Sequence, residues 1–285
     1  MTTFQGILLG LIQGVAEFLP ISSSGHLQLA QYLFNLGEVP LLFDVFLHVA
    51  TLLAVVLYFR RIIWRLLCVC CRWILRRSLP RNRTALAEKH DRKLILMILL
   101  TTLVTGVIGL ITSKVIPDFS IRAICVCFLV TAGLLIASAV TDKLICLHYA
   151  ASSGVRGDRA FTGVRWWQAL IIGFAQGAGT LPGISRSGAT IAGALFSGVD
   201  RVTAGEYSFI VSIPAIVGAF LLELKDLGAV AGSIGASPVI AGCAAAFASG
   251  YVALTVLMRL IRKGRLEWFA LYLIPVGVLG LVLLH

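Results

Sequence analysis

The chain has 285 residues, 59% hydrophobic and only 13% charged, with a formal net charge of +11. A soluble domain is roughly half apolar and a quarter charged, so water is excluded as the main solvent and the bilayer takes its place. Nucleic acid is not the partner that the positive charge implies, because the basic residues gather in loops between long apolar runs, as membrane topology signals do.

Met1 leads into an apolar stretch over 4–19 with no basic n-region, and Pro20 stands where a small-residue cleavage site would be needed. The stretch therefore reads as mature structure and not as a secretory signal. It breaks at Pro20 and resumes over 27–36. A clean apolar run, 41–59, follows, and then a basic segment, 60–93. Within the latter, Arg61, Arg65, Arg72 and Arg76 share one helical face over 61–79. That segment is either an interfacial helix holding anionic headgroups or a cytoplasmic extension of the preceding span. Cys68, Cys70 and Cys71 lack the paired spacing of a zinc site and read as small apolar filler. Runs 94–112 and 121–140 come next, then a second broken segment (166–181 and 189–199), then 207–224, 238–258 and 267–284. The six clean runs are each near the ~20 residues that cross a bilayer as helix. The expectation is an all-α integral membrane protein, 1–285 forming a single membrane domain, with six transmembrane helices and two re-entrant helix hairpins at about 4–36 and 166–199.

Most of the 24 lysines and arginines lie in 60–93, in 141–165, at Arg201 and in 259–265, whereas loops 113–120 and 226–237 carry Lys114 alone. By the positive-inside rule the basic loops are cytoplasmic. Asp200, Arg201 and Glu206 then sit at the cytoplasmic edge as caps and ion pairs.

Sliding the chain by 163 residues superposes the two broken segments without a gap. Gln5, Gly10, Gln13, Gly14, Ile21, Ser22, Ser24 and Gly25 fall on Gln168, Gly173, Gln176, Gly177, Ile184, Ser185, Ser187 and Gly188. Three spans separate the copies, an odd number, so the second copy enters from the opposite face. This predicts an inverted-topology repeat (repeat 1 about 1–112, repeat 2 about 121–285) whose loop tips meet near the midplane. Irregular backbone at that depth survives only where protein or water satisfies it, so the loops line a cavity.

The first loop, Gln13-Gly-Val-Ala-Glu17-Phe-Leu-Pro20-Ile-Ser22-Ser23-Ser24-Gly25-His26, places Glu17 one turn after Gln13. An ionisable group in an apolar segment is costly, and function is its default explanation; snorkelling or a bond to the loop backbone is the plainer one. Ser22, Ser23, Ser24 and Gly25 read alone as a helix N-cap. The second loop repeats the pattern as Pro182-Gly-Ile-Ser185-Arg186-Ser187-Gly188-Ala-Thr190. Two helix N-termini and an arginine converging inside a membrane make an anion site that suits phosphate, with Gly188 and Thr190 opening the second helix. Arg186 can equally pair with Glu17, and the two roles are compatible. His26 is either a structural hydrogen-bonder or an acid, base or nucleophile. Asp44 and His48, with Thr51, share one face of the third segment and either support the site or are hydrated at the interface.

The stretches 13–26 and 181–191 closely resemble the two signatures of bacterial undecaprenyl-diphosphate phosphatase, the bacitracin-resistance protein family; 43–59 and Gly-Glu-Tyr-Ser-Phe from Gly205 are similar as well. The resemblance implies hydrolysis of undecaprenyl diphosphate to the monophosphate and inorganic phosphate. That activity recycles the carrier lipid for peptidoglycan and other envelope polymers, confers bacitracin resistance, and places the chain in the bacterial cytoplasmic membrane. It implies catalytic roles for Ser23, His26 and Glu17, and phosphate binding by Arg186, with Gln13, Ser22, Ser24, Gly25, Ser185, Ser187, Gly188 and Thr190 around the substrate. Gln13 occupies a position that is often Glu in the family, which shifts weight to Glu17. Family members depend on divalent cations, so Mg²⁺ or Ca²⁺ held by Glu17 with the substrate phosphates is a cofactor expectation. Partners are then a polyprenyl diphosphate and membrane lipids, with a homo-oligomer left open, and the active site faces the periplasm. Two other classes fit parts of the pattern: a transporter or flippase of polyprenyl phosphate, since inverted repeats also build transporters, and a scaffold anchored on anionic lipid through 60–93.

Overall fold

Apolar segments in a medium without water must satisfy their backbone internally, and helices do this. In a computed structural model, which describes residues 1–34, 36, 41–78, 84–115, 119–153, 163–223 and 235–283, every regular element is helical. The order is α1 (Thr3–Phe18), α2 (Ser23–Leu33), α3 (Leu41–Tyr58), α4 (Arg60–Ile74), α5 (Ala85–Val115), α6 (Ile121–Ser153), α7 (Trp166–Ala178), α8 (Arg186–Phe196), α9 (Arg201–Glu223), α10 (Ala236–Lys263) and α11 (Trp268–Leu283). Arg81, Arg83, Arg156 and Arg159, and the loop over 226–234, lie outside the described residues.

Among the described residues α5, α6, α9 and α10 are long and apolar enough to cross a membrane, and α3 with α4 makes a fifth candidate if that bent pair is one span. α11, where 267–284 predicts a span, is a 16-residue apolar helix, shorter than a full crossing. The long helices overrun the apolar stretches seen in sequence because their polar ends find partners. Arg72 reaches Glu88 at 2.9 Å and Arg65 reaches Asp91 at 3.6 Å, which extends α5 back to Ala85. Arg201 meets Asp142 at 2.5 Å and Asp200 accepts from the Thr203 amide at 3.0 Å, so the Asp200–Arg201 edge does serve as cap and ion pair. The basic segment does not run straight on from α3: α4 turns from it by 84°.

The two broken segments use the same local chemistry. Gln5 Oε1 accepts from the Thr2 amide at 2.7 Å and Gln168 Oε1 from the Arg165 amide at 2.8 Å, each closing the start of its helix. Each helix then packs through glycines. α1 lays Gly6, Gly10 and Gly14 on the α10 backbone at Pro238, Gly242 and Ala246, and α7 lays Gly173 and Gly177 on Thr101, Val104 and Ile108 of α5. Small residues let helices approach closely where lipid offers no hydrophobic drive, and at this spacing hydroxyls can bond across. Thr101 donates to the Ala169 carbonyl at 3.0 Å and Thr105 to that of Gly173 at 3.2 Å. Phe18, Phe59, Phe209 and Leu254 fill the core between these pairs.

Candidate active site

A hydroxyl before a helix can accept from the amides of its first turn, and both loops end in this way. Ser22 Oγ accepts from the Gly25 amide at 3.4 Å and Ser185 Oγ from the Gly188 amide at 3.1 Å. α2 therefore begins at Ser23, and Ser23 and Ser24 belong to its first turn instead of preceding a helix from Leu27. The loops touch reciprocally. A Cβ on Gly25 would lie 3.0 Å from Gly183 Cα, and one on Gly188 would lie 3.1 Å from Pro20. The amides of Ser23, Ser24, Arg186 and Ser187 open two helices where the helix itself supplies no acceptor.

Glu17 is the hub between the loops. Its Oε2 accepts from Ser23 Oγ at 2.6 Å and from Gln13 Nε2 at 3.1 Å, while Oε1 forms an ion pair with Arg186 Nη2. The Glu17 side chain is buried, and an unpaired carboxylate there would be expensive, so the pairing with Arg186 is what the burial requires. His48 Nδ1 donates to the Asp44 carbonyl at 2.7 Å, which leaves Nε2 facing Glu17 Oε2 at 3.6 Å. Asp44 accepts from Gln31 Nε2 at 3.2 Å and so ties α3 to α2. Glu17, Ser23, His48 and Arg186 border a cavity of about 290 Å³, which Ser24 and Ser185 also line.

The remaining expected site residues stand behind that lining. Gln13 is fully buried beside Glu17, Ser22 is a cap, and Ser187 lies 3.2 Å from the Oγ of Ser185, the cap that itself lines the cavity. Gly25 and Gly188 are the loop-to-loop contacts described above. Thr190 donates within α8 to the Arg186 carbonyl at 2.8 Å and touches Ser208. His26 does not line the cavity. Its Nδ1 donates to the Ser22 carbonyl at 2.7 Å, its Nε2 meets the Tyr272 hydroxyl at 2.9 Å, and its ring packs on Phe128 and Tyr272. The imidazole in the cavity is that of His48, which the sequence reading placed only in support.

Thr105, Thr180 and Tyr272 were not singled out from sequence, and of these Thr180 carries a signal that the repeat contains. At the offset of the repeat Glu17 falls on Thr180 and Ser23 falls on Arg186, and all four line the cavity. Identical pairs such as Gln5 and Gln168, Gly10 and Gly173, and Ser22 and Ser185 hold caps and helix contacts, whereas the differing pairs Glu17 and Thr180, and Ser23 and Arg186, line the cavity. Thr105, which also borders the cavity, accepts from Gln176 Nε2 at 3.1 Å.

These oxygens do not make a resident metal site. Both Glu17 oxygens are engaged, and among the described residues no three His, Cys, Asp or Glu side chains converge as ligands. Gln13 Oε1 is a buried oxygen with no hydrogen-bond partner, but one neutral amide beside a committed carboxylate is a poor set for Mg²⁺ or Ca²⁺.

The family model described as bacitracin resistance protein BacA matches residues 6–279. A relative from Treponema denticola named undecaprenyl-diphosphatase is 44% identical over 98% of this chain and 96% of its own length. Relatives with the same name from Alkaliphilus metalliredigens and Desulfosudis oleivorans are 38% and 41% identical, each over 97% of both chains.

Proposed function

This chain belongs to the bacitracin resistance protein BacA family, and from that premise we propose that it hydrolyses undecaprenyl diphosphate to undecaprenyl phosphate and inorganic phosphate at the cavity between α2 and α8. The observation that carries the site is the meeting of Ser23, Glu17 and Arg186 between two helix N-termini. Arg186 and the first-turn amides hold the terminal phosphate, replacing the Glu17 carboxylate with the phosphate oxygens. Ser23 Oγ attacks that phosphorus in line, the bond from phosphorus to the bridging oxygen breaks, and undecaprenyl phosphate leaves. The Ser23 proton passes to Glu17 Oε2, and His48 Nε2 is placed to relieve Glu17 of it. Water then cleaves the phosphoserine, releasing inorganic phosphate and restoring the hydroxyl. A water activated by Glu17 is the rival nucleophile.

His26 acts in this reading as a positioning residue. Ser22 has φ of 73°, a strained value for a side-chain-bearing residue, and the His26 bond to its carbonyl holds the turn that presents Ser23. Tyr272 fixes the His26 tautomer by donating to Nε2. Tyr272→Phe is expected to lower turnover roughly tenfold while leaving KM nearly unchanged, since it loosens geometry without touching substrate. An unchanged kcat would remove Tyr272 from the mechanism.

The reciprocal loop contacts support the inverted repeat, and so do the paired glycine packings of α1 on α10 and of α7 on α5. With it go six crossings, α3 and α11 included. With the basic loops on the cytoplasmic side, the cavity in this reading opens towards the periplasm. In support, the cavity is lined by Val45 and His48 early in α3 and by Ala215 and Phe220 late in α9, away from the arginines of α4 and from Arg201.

The first experiment is phosphate release from undecaprenyl diphosphate by purified protein, with and without Mg²⁺, Ca²⁺ and chelator. Release is the expected result, and any ion it needs enters with the diphosphate oxygens. No release under any ion would sink the hydrolase reading and favour the flippase.

A further inference from the structure

We propose that α4 is a lipid-reading helix, lying in the plane of the leaflet on the side of the basic loops and binding anionic phospholipid headgroups. The inference does not depend on the reaction proposed above. α4 meets α3 at 84°, so its 15 residues run across the bundle instead of through the membrane.

Its circumference divides into three parts. Leu66 and Val69, with Ile62 and Cys70, pack on Ile95 and Ile210 and fasten the helix to α5 and α9. On the opposite side Trp64, Leu67, Cys71 and Ile74 fall at spacings of three, four and three, and all are exposed, Trp64 by 70% and Ile74 by 73%. The basic stripe lies along one edge between these faces. Arg65 and Arg72 are turned to Asp91 and Glu88 of α5, while Arg61, and Arg76 and Arg77 just past the helix end, are exposed.

Neither water nor the membrane core suits this arrangement. An outward face of Trp, Leu and Ile is an apolar patch of the kind soluble surfaces rarely carry, and the arginine edge cannot sink into hydrocarbon. A helix lying at the interface satisfies both, with the apolar face among acyl chains and the guanidinium groups at phosphate depth. Charge selects the occupant, because arginines pair with anionic headgroups, whereas a zwitterionic surface gives them no net attraction.

The test uses the full-length chain in phosphatidylcholine vesicles containing an equal mole fraction of either dibrominated phosphatidylglycerol or dibrominated phosphatidylcholine, without substrate. The signal of Trp64 is isolated by comparison with Trp64→Phe. Both brominated lipids should quench Trp64, the phosphatidylglycerol more strongly, as expected for roughly fivefold local enrichment per headgroup held. The preference should vanish in Arg61→Gln/Arg76→Gln/Arg77→Gln, and also in the unsubstituted chain at high salt, which screens exposed charge without risk to folding. Absence of quenching by either lipid would show that α4 stands in water. Equal quenching by the two lipids in the unsubstituted chain, or a preference that survives both high salt and the substitutions, would refute headgroup reading by these arginines.

Discussion

Arg186→Ala is expected to slow phosphate release from undecaprenyl diphosphate by about 10³-fold or more, the range seen when a group that stabilises phosphoryl charge is removed. Arg186 lines the cavity with Ser23 and is held there by its ion pair with Glu17, and in the proposed reaction a phosphate takes the place of that carboxylate. The same substitution leaves a buried Glu17 without its counter-charge, which costs about 3–5 kcal/mol in comparable buried pairs. Lost activity could therefore reflect lost folding. The double variant Glu17→Gln/Arg186→Ala separates the two: it should recover thermal stability in detergent while remaining inactive. Arg186→Lys should restore the charge without the planar fork and recover only part of the rate. Turnover of Arg186→Ala within a few-fold of the unsubstituted chain would remove the phosphate clamp from Arg186.

Ser23→Ala carries the second large effect, again about 10³-fold or more in kcat if the hydroxyl is the nucleophile. The Ser23 proton already points at Glu17 Oε2 over 2.6 Å, so attack requires no rearrangement of the pair. Removing the hydroxyl leaves Glu17 with Gln13 and Arg186 as partners, and stability should change little. Substrate labelled in the terminal phosphate, quenched in acid during turnover, should leave label on the unsubstituted chain at Ser23 and none on Ser23→Ala. Near-native turnover by Ser23→Ala would end the covalent route and pass the attack to a water held by Glu17.

How legible these features were in sequence varied with the physics behind each. The breaks at Pro20 and Pro182 were legible because lipid tolerates irregular backbone only under special conditions. The offset repeat was legible because Gln5 and Gln168, or Ser22 and Ser185, perform the same capping bond in both copies. The full extents of α5 and α6 were not, since their polar ends are stabilised by Arg72, Arg65 and Arg201 from other helices. The contact of Tyr272 with His26 was hidden for the same reason: the two lie 246 positions apart in the chain.

The sequence by itself determined that this chain is a helical membrane protein with two matching broken segments, and it offered an ion pair between Glu17 and Arg186 as one role of that arginine. Each of these follows from the cost of polar groups in hydrocarbon, which is a property of the residues and their spacing. Only the tertiary structure decided which histidine enters the cavity and where the arginines of α4 point. His26 and His48 both stand near serine or acid in sequence, but α2 rotates one ring onto Phe128 and Tyr272 while α3 turns the other towards Glu17. Those rotations are set by how each helix packs on neighbours far away in the chain, and no local pattern encodes them.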